Sequence, residues 1–444
     1  MGSVSSTKRT EGTKSVVQEL LDTVEKYAWL GVLLFAFGWA YRLGKFVSEH
    51  AINCLFGDAW DYTTPLFRHA NPLVVFRWQH GPHREGIGLL FEWAVYTLTR
   101  WNTRAVDFAM VGLVALAMGV AIVLRYRLAG RLQWSDLLLP LLFCNLGIWE
   151  SVTIGSHVAH SVMPLLLVML TGGAWLIPKR VWRYRVVAIL NVAAVYTGFA
   201  LFLGLLNPIL LAIEIWRLRG KKEMRAALGA LIAVLLTDGS FLIGYAFGQV
   251  QGRFEPWPMA RFMATLFAYF FKADLAFGYL LLAAMVAACL AHGARWIREE
   301  KPESLLICLF TGFTLLFALE CAYGRVANGT EYAQTSRYLC LVTPGMVGLY
   351  LAALALPHWS LRLCGVGVLF WLAYVGRDIP GREQYVMEVW QRGRADWITA
   401  YKQTGSVGLA GKMAHLTMDP HPELSHMDEK LAYLKAHQLN LFAP

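Results

Sequence analysis

Long apolar segments alternate with short polar ones along most of the chain. Windows of roughly 18 or more nearly uncharged residues recur, which is the length one α-helix needs to cross a bilayer. The apolar segments lie at 28–47, 106–124, 137–149, 164–177, 186–216, 226–248, 276–292, 304–322, 338–356 and 363–376. The pattern therefore predicts an all-α, polytopic membrane protein with about 11 transmembrane helices.

The run 186–216 is longer than one crossing, which takes about 20 residues. Asn207 and Pro208 lie near its far end, and a proline frees one helical hydrogen bond. We therefore expect this run to fold as a tight or re-entrant hairpin that counts as two of the crossings.

Lysine and arginine cluster in short runs between the apolar segments. The net charge is +10, but only 16% of the residues are charged, against about 25% in soluble domains. Every multi-basic short loop falls on the same side as the N-terminus, as the positive-inside rule requires. This topology predicts a cytoplasmic N-terminus and an extracytoplasmic C-terminus. The cytoplasmic loops account for the basic charge, so no nucleic-acid partner is needed to explain it.

The same topology divides the chain into three parts. These are a cytoplasmic segment at 1–27, a transmembrane domain at 28–376 and an extracytoplasmic tail at 377–444. The first extracytoplasmic loop covers 48–105. We expect the tail to pack on the extracytoplasmic loops, because about 70 residues make a small independent domain.

Residues 85–99 of the first loop have helical spacing of apolar positions. The apolar positions on one face are Ile87, Leu90, Phe91, Ala94 and Leu98. Such a one-sided pattern predicts a helix that lies at the membrane interface.

The densest group of polar residues in the chain lies at 57–84, also in the first loop. Asp58 and Asp61 are three residues apart, so they share a face on a helical turn. A carboxylate beside an apolar wall can act as a general base. The plainer alternative is that these aspartates cap a short helix or bind an arginine. Trp60 between them could stack on a sugar ring or belong to an aromatic belt.

His80, His83 and Arg84 close the same stretch. The spacing fits a metal site, contact with a phosphate or sugar, or ordinary loop structure. Two histidines are too few for a catalytic zinc site, which takes three protein ligands. We therefore predict no metal site from these residues, although a divalent cation that assists a phosphate stays possible.

Arg337 and Tyr338 begin a late span. An arginine there can reach a lipid phosphate, or it can extend to the interface beside a belt tyrosine. Acidic residues at span ends, such as Glu150 and Glu320, are costly in lipid. We expect them to face a polar cavity.

The segments GDAWDY, WQHGPHREGIGLL and QTSRY, together with the predicted topology, resemble the glycosyltransferase C (GT-C) superfamily. More narrowly, they resemble bacterial members in which an acidic-Trp motif precedes an EHR-like motif and a later SRY motif. The resemblance implies a membrane-embedded inverting transferase that takes sugars from polyprenyl-phosphate donors. The family motif usually has adjacent acidic residues, whereas Gly57 and Ala59 flank Asp58 here.

Carried over by motif, the resemblance implies that Asp58 is the catalytic carboxylate and Asp61 the second one. The choice between them stays open. His83 and Arg84 match the His-Arg of the second motif and Arg337 the arginine of the third, so the two arginines would bind donor phosphate or acceptor. Trp60, His80 and Tyr338 are further predicted substrate contacts.

The function implied is transfer of a sugar from a polyprenyl-phosphate donor to an envelope glycan, lipid or protein acceptor, on the outer side of a bacterial inner membrane. Donor, acceptor and membrane lipid are the expected partners. The alternative is a transporter or flippase for a lipid-linked sugar or another solute. A transporter typically shows inverted repeats and broken spans near the bilayer midplane, and no convincing repeat is visible in the sequence.

Overall fold

The protein is described by a computed structural model that covers residues 25–248 and 252–443. Most of the predicted cytoplasmic segment 1–27 lies outside the described residues. The α-helices, in chain order, are α1 Ala28–His50, α2 Ala59–Tyr62, α3 Thr64–Phe67, α4 Pro72–Phe76, α5 Gly86–Thr99, α6 Thr103–Ala129, α7 Leu138–Phe143, α8 Trp149–Thr153, α9 Met163–Trp175, α10 Arg180–Val195, α11 Phe202–Arg217, α12 Met224–Phe241, α13 Pro256–Phe270, α14 Leu275–Glu299, α15 Pro302–Arg325, α16 Leu339–Leu354, α17 Trp359–Gly376, α18 Gly381–Thr404, α19 Val407–Ala414 and α20 Met427–Ala436. Within the described residues, the strands are confined to one hairpin, in which β1 (Gln79–His80) pairs antiparallel with β2 (His83–Arg84).

Ten helical segments among the described residues are long and apolar enough to cross a membrane. They are Ala28–His50, Thr103–Ala129, Trp134–Thr153, Val158–Trp175, Gly198–Arg217, Met224–Phe241, Leu275–Glu299, Pro302–Asn328, Ser336–Leu354 and Trp359–Thr404. The predicted all-α, multi-pass organisation is confirmed at this level.

The helical segments that qualify by length and composition are one fewer than the predicted crossings, and the difference lies in the run 186–216, where α10 is too short to qualify. The chain does turn back within this run, but α10 has only 16 residues, which span about 24 Å against a hydrocarbon core of about 30 Å. The turn is at Gly198–Leu201, where Gly198 has a φ of +46°. Pro208 lies inside α11, so the prediction of a break at Asn207 and Pro208 was wrong. A proline removes one helical hydrogen bond, whereas a left-handed glycine changes the direction of the chain.

Helix α5 forms as predicted, but its most buried residues do not lie on the predicted apolar face. Leu98 is 85% exposed, whereas Leu89, Glu92 and Tyr96 are fully buried. Ile87, Leu90 and Phe91 of the predicted face pack partly against the core. The side of α5 that the protein covers most therefore includes a carboxyl group and a phenol.

The tail packs on the first loop, as expected. The Gly57 amide donates to the carbonyl of Met418 at 2.8 Å. The buried ammonium of Lys430 donates to the carbonyl of Trp60 and to Oγ1 of Thr64. These contacts fix the first loop from the side opposite the helical bundle.

Candidate functional site

The β1–β2 hairpin places two histidines side by side. His80 pairs with His83 across the hairpin, and Gly81, with a φ of +56°, lies in the turn between them. Close packing continues at Gly86, where an added Cβ would lie 1.9 Å from the carbonyl oxygen of Phe76. Glycine is therefore required at this position, and it lets the hairpin run directly into α5.

A second polar stretch, between α8 and α9, packs against the hairpin. Val158–Val162 forms a single π-helical turn, a distortion that is frequent at functional sites. An added Cβ on Gly88 would lie 2.5 Å from the Cβ of Ala159. This close approach holds His160, the next residue, beside the hairpin.

A cavity of about 150 Å³ lies between these segments. It is lined by Asp58, His80, Gly81, Pro82, His83, His157, His160, Phe199, Arg325, Arg337 and Tyr338. The structure thus brings together five of the residues that the sequence singled out, namely Asp58, His80, His83, Arg337 and Tyr338. We call this space the histidine cavity.

Arg337 is held in the cavity wall through its backbone. Its amide donates to Oε2 of Glu150 at 3.2 Å, and the hydroxyl of Ser336 accepts from the Glu150 amide at 3.1 Å. The turn Ser336–Tyr338 is thereby fixed to α8. The guanidinium carbon of Arg337 lies 5.7 Å from the centre of the Tyr338 ring.

Glu85 lies between two histidines and is fully buried. Nε2 of His160 lies 2.6 Å from Oε1, and Nδ1 of His80 lies 3.6 Å from Oε2. Burial opposes the charge on Glu85, but the neighbouring His160 and His80 outweigh it and lower the pKa of Glu85 to about 2. This carboxylate is therefore an anion at neutral pH.

His80 also contacts Asp61, whose Oδ2 lies 3.4 Å from Nε2 of His80. Burial disfavours the imidazolium, but Asp61 and Glu85 together raise the pKa of His80 to about 10. In return, the His80 imidazole lowers the pKa of Asp61. For His83, burial and the nearby His160 lower the pKa to about 3, so this ring is neutral.

Three of the predicted site residues do not line the histidine cavity. The Arg84 guanidinium donates to the carbonyls of Phe241 at 2.9 Å and Ile243 at 2.8 Å, and also to the carbonyl of Arg77. Trp60 is fully buried, so its ring is not available to stack on a sugar. Asp61 contacts the cavity only through His80. In this structure Arg84 binds backbone carbonyls and Trp60 is buried in the core, and their substrate contacts stay predictions.

Sequence reasoning did not select Glu85, His160 or Arg325 as site residues. Glu85 directly follows the His-Arg of the second motif, and this adjacency is the sequence feature that would have identified it as a site residue. His160 and Arg325 come from other polar loops, and no local spacing links them to the hairpin. Only the packing of the π-turn and of the end of α15 brings them to the cavity.

Comparison with protein-family models, with curated proteins and with solved structures gave no match.

Proposed function

We propose that the chain is a membrane-embedded inverting glycosyltransferase that moves a sugar from a polyprenyl-phosphate donor to a hydroxyl group of an envelope glycan, lipid or protein on the extracytoplasmic side. One observation carries the proposal. A carboxylate of the first loop, Asp58, lines the same cavity as two arginines from the later spans, Arg325 and Arg337. Transfer from a lipid phosphate needs this pairing of a base with cations.

In the proposed reaction, Asp58 takes the proton of the acceptor hydroxyl. The acceptor oxygen forms a bond to the anomeric carbon while the bond from that carbon to the donor phosphate oxygen breaks. The polyprenyl phosphate leaves with the bonding electrons. Arg337 and Arg325 stabilise the negative charge on the phosphate.

The geometry favours Asp58 over Asp61 as the base. Asp58 lines the histidine cavity and has no ion-pair partner among the described residues. The Asp61 carboxylate contacts His80 and accepts a hydrogen bond from Thr64 at 3.5 Å. Asp61 is therefore a positioning residue, which orients His80.

The test is transfer of labelled sugar from a panel of polyprenyl-phosphate donors in membranes. Asp58→Asn keeps the size of the side chain and removes the base, so we expect transfer to fall by about 100-fold or more at matched protein levels. Asp61→Asn is the comparison variant, and we expect a smaller loss of transfer from it, because Asp61 only orients His80. If Asp58→Asn transfers sugar like wild type, the mechanism is wrong.

A lipid-linked-sugar flippase is the second candidate, and one feature inside the spans favours it. The amide of Asn207 donates to Oδ1 of Asn191, and the amide of Asn191 donates to Oδ1 of Asp238, both at 2.9 Å. Ionisable residues within spans often mark transport pathways. A flippase would lose lipid movement in proteoliposomes on Asp238→Asn, whereas the transferase would keep its sugar transfer.

A further inference from the structure

His80, Glu85 and His160 each present one metal-ligating atom to a common point. One such atom from each side chain lies within 4.8 Å of the other two. The individual separations from the Glu85 oxygens are 2.6 Å for His160 Nε2 and 3.6 Å for His80 Nδ1. Tetrahedral ligands at bond lengths of about 2.1 Å lie about 3.4 Å apart. The observed separations, from 2.6 Å to at most 4.8 Å, lie on either side of that value.

The carboxylate of Glu85 is not satisfied by hydrogen bonds. It is fully buried, and neither oxygen has a partner of acceptable hydrogen-bond geometry among the described residues. The imidazole contacts supply attraction, but they leave the lone pairs of the buried oxygens without a directed donor, which is costly. A cation between the three groups would accept a lone pair from each of them.

A carboxylate also supports the first of these histidines from behind. Nδ1 of His80 faces Glu85, and its other ring nitrogen lies 3.4 Å from Oδ2 of Asp61. Metal-binding histidines nearly always direct their second nitrogen to a carboxylate, carbonyl or water, which fixes the tautomer and the ring orientation. Asp61 is placed to do this for His80.

His83 gives an independent sign of a ligand in the same place. It is 6% exposed and lines the histidine cavity, and its Nδ1 has no hydrogen-bond partner among the described residues. Its ring centre lies 5.8 Å from that of His160. A buried ring nitrogen without a partner in the chain is uncommon and marks a place where a bound group or water would be stabilised.

From these observations we infer that His80, Glu85 and His160 bind one divalent transition-metal ion, with zinc as the best match. Two imidazoles and one carboxylate form a donor set typical of catalytic zinc sites, whereas Mg²⁺ prefers oxygen ligands alone. Three protein ligands leave a coordination position open toward the histidine cavity. There the ion would bind an anionic oxygen, such as that of a phosphate.

Metal binding itself does not depend on the proposed sugar transfer, but the use of the ion to hold a donor phosphate does. The first experiment therefore measures binding alone. The full chain is purified in detergent, stripped with a chelator and titrated with Zn²⁺ and with Co²⁺, whose visible spectrum reports tetrahedral coordination. We expect one ion per chain, and no comparable competition from Mg²⁺.

Glu85→Gln removes a ligand, and we expect it to weaken Zn²⁺ binding by more than about 100-fold. Glu92→Gln is the matched control, because Glu92 is equally buried on the adjoining helix, and we expect wild-type affinity. Asp61→Asn tests the supporting carboxylate, and we expect a loss of about 10-fold to 100-fold. His160→Gln gives a second ligand variant in case Glu85→Gln does not fold.

Wild type that binds no more Zn²⁺ than Glu85→Gln or His160→Gln would overturn the inference, as would equal binding of Mg²⁺. The two proposals fail separately. A chain that binds zinc but transfers no sugar contradicts the proposed function and keeps the metal site. A chain that transfers sugar at full rate and binds no zinc does the reverse.

Discussion

Two glutamates on one short stretch, Glu85 and Glu92, are both fully buried, yet their surroundings differ. Glu85 has the imidazoles of His80 and His160 within 3.6 Å. Glu92 forms no ion pair among the residues that the structure describes, and burial raises its pKa well above the usual range. One is an anion beside a cavity, and the other is a neutral acid in the core.

The difference shows that burial alone does not decide the role of a carboxyl group. Around Glu92, the interacting groups are Tyr96, Asp107 and Glu85, none of which offers a positive charge. The buried Arg394 lies on that side, where it acts electrostatically on Asp107. The imidazole partners of Glu85, in contrast, come from a hairpin and a π-turn that also open onto the histidine cavity.

The largest expected effect is on the unfolding free energy, and it comes from a change at Arg394, on the Glu92 side of the comparison. Arg394 is buried and donates to the carbonyls of Ile52 at 3.0 Å and Cys54 at 3.1 Å. Arg394→Met removes the donors to these buried oxygens and the buried positive charge near Asp107, so we expect a loss of about 3 kcal/mol or more in unfolding free energy. Thermal unfolding in detergent measures it, with the exposed Arg392→Met as control. Equal melting of the two variants would contradict the packing described for the tail.

Glu85→Gln comes next and tests the other side of the comparison. In metal-free protein it removes the charge that faces both histidines, and we expect a loss of about 2 kcal/mol. The measurement is again thermal unfolding, in the presence of chelator. A loss below about 0.5 kcal/mol would show that the histidines do not depend on this carboxylate.

Glu92→Gln should have the smallest effect, below about 1 kcal/mol at pH 5, because a neutral carboxyl and an amide are close in size. Its pH dependence sharpens the comparison. The folded pKa of Glu92 is raised above its ordinary value of 4.5, so the unfolded chain releases the proton first as the pH rises. Wild type should therefore lose stability relative to Glu92→Gln as the pH rises from 5 to neutral. A constant difference across that range would mean that Glu92 is already ionised in the fold.

Helix α5 shows which structural features the sequence pattern predicted and which it did not. Its existence and its limits followed from spacing, since Gly86–Thr99 matches the predicted 85–99 within one residue. The orientation of the helix did not follow from spacing, because the prediction of an interfacial helix did not say which face the protein would cover. In the structure Leu98 is exposed and Glu92 is fully buried.

The candidate site divides in the same way. Asp58, His80 and His83 belong to one local stretch, and the sequence identified them as candidates from its density of polar residues, their spacing and the motif resemblance. His160 and Arg325 reach the histidine cavity only because the π-turn and the end of α15 pack against the hairpin. Arg84, adjacent to His83, was selected for the same reason but binds backbone carbonyls. Neighbours in a strand point to opposite faces, so adjacent residues can have separate roles.

By itself, the sequence determined that the chain is helical and multi-pass, because runs of apolar residues leave the backbone few other ways to satisfy its hydrogen bonds in lipid. It also determined that polar chemistry concentrates in the first loop, since charged groups are costly within the spans. The tertiary structure decided which carboxyl group meets histidine and which is buried among apolar and acidic neighbours. That choice depends on long-range packing, which local spacing does not encode.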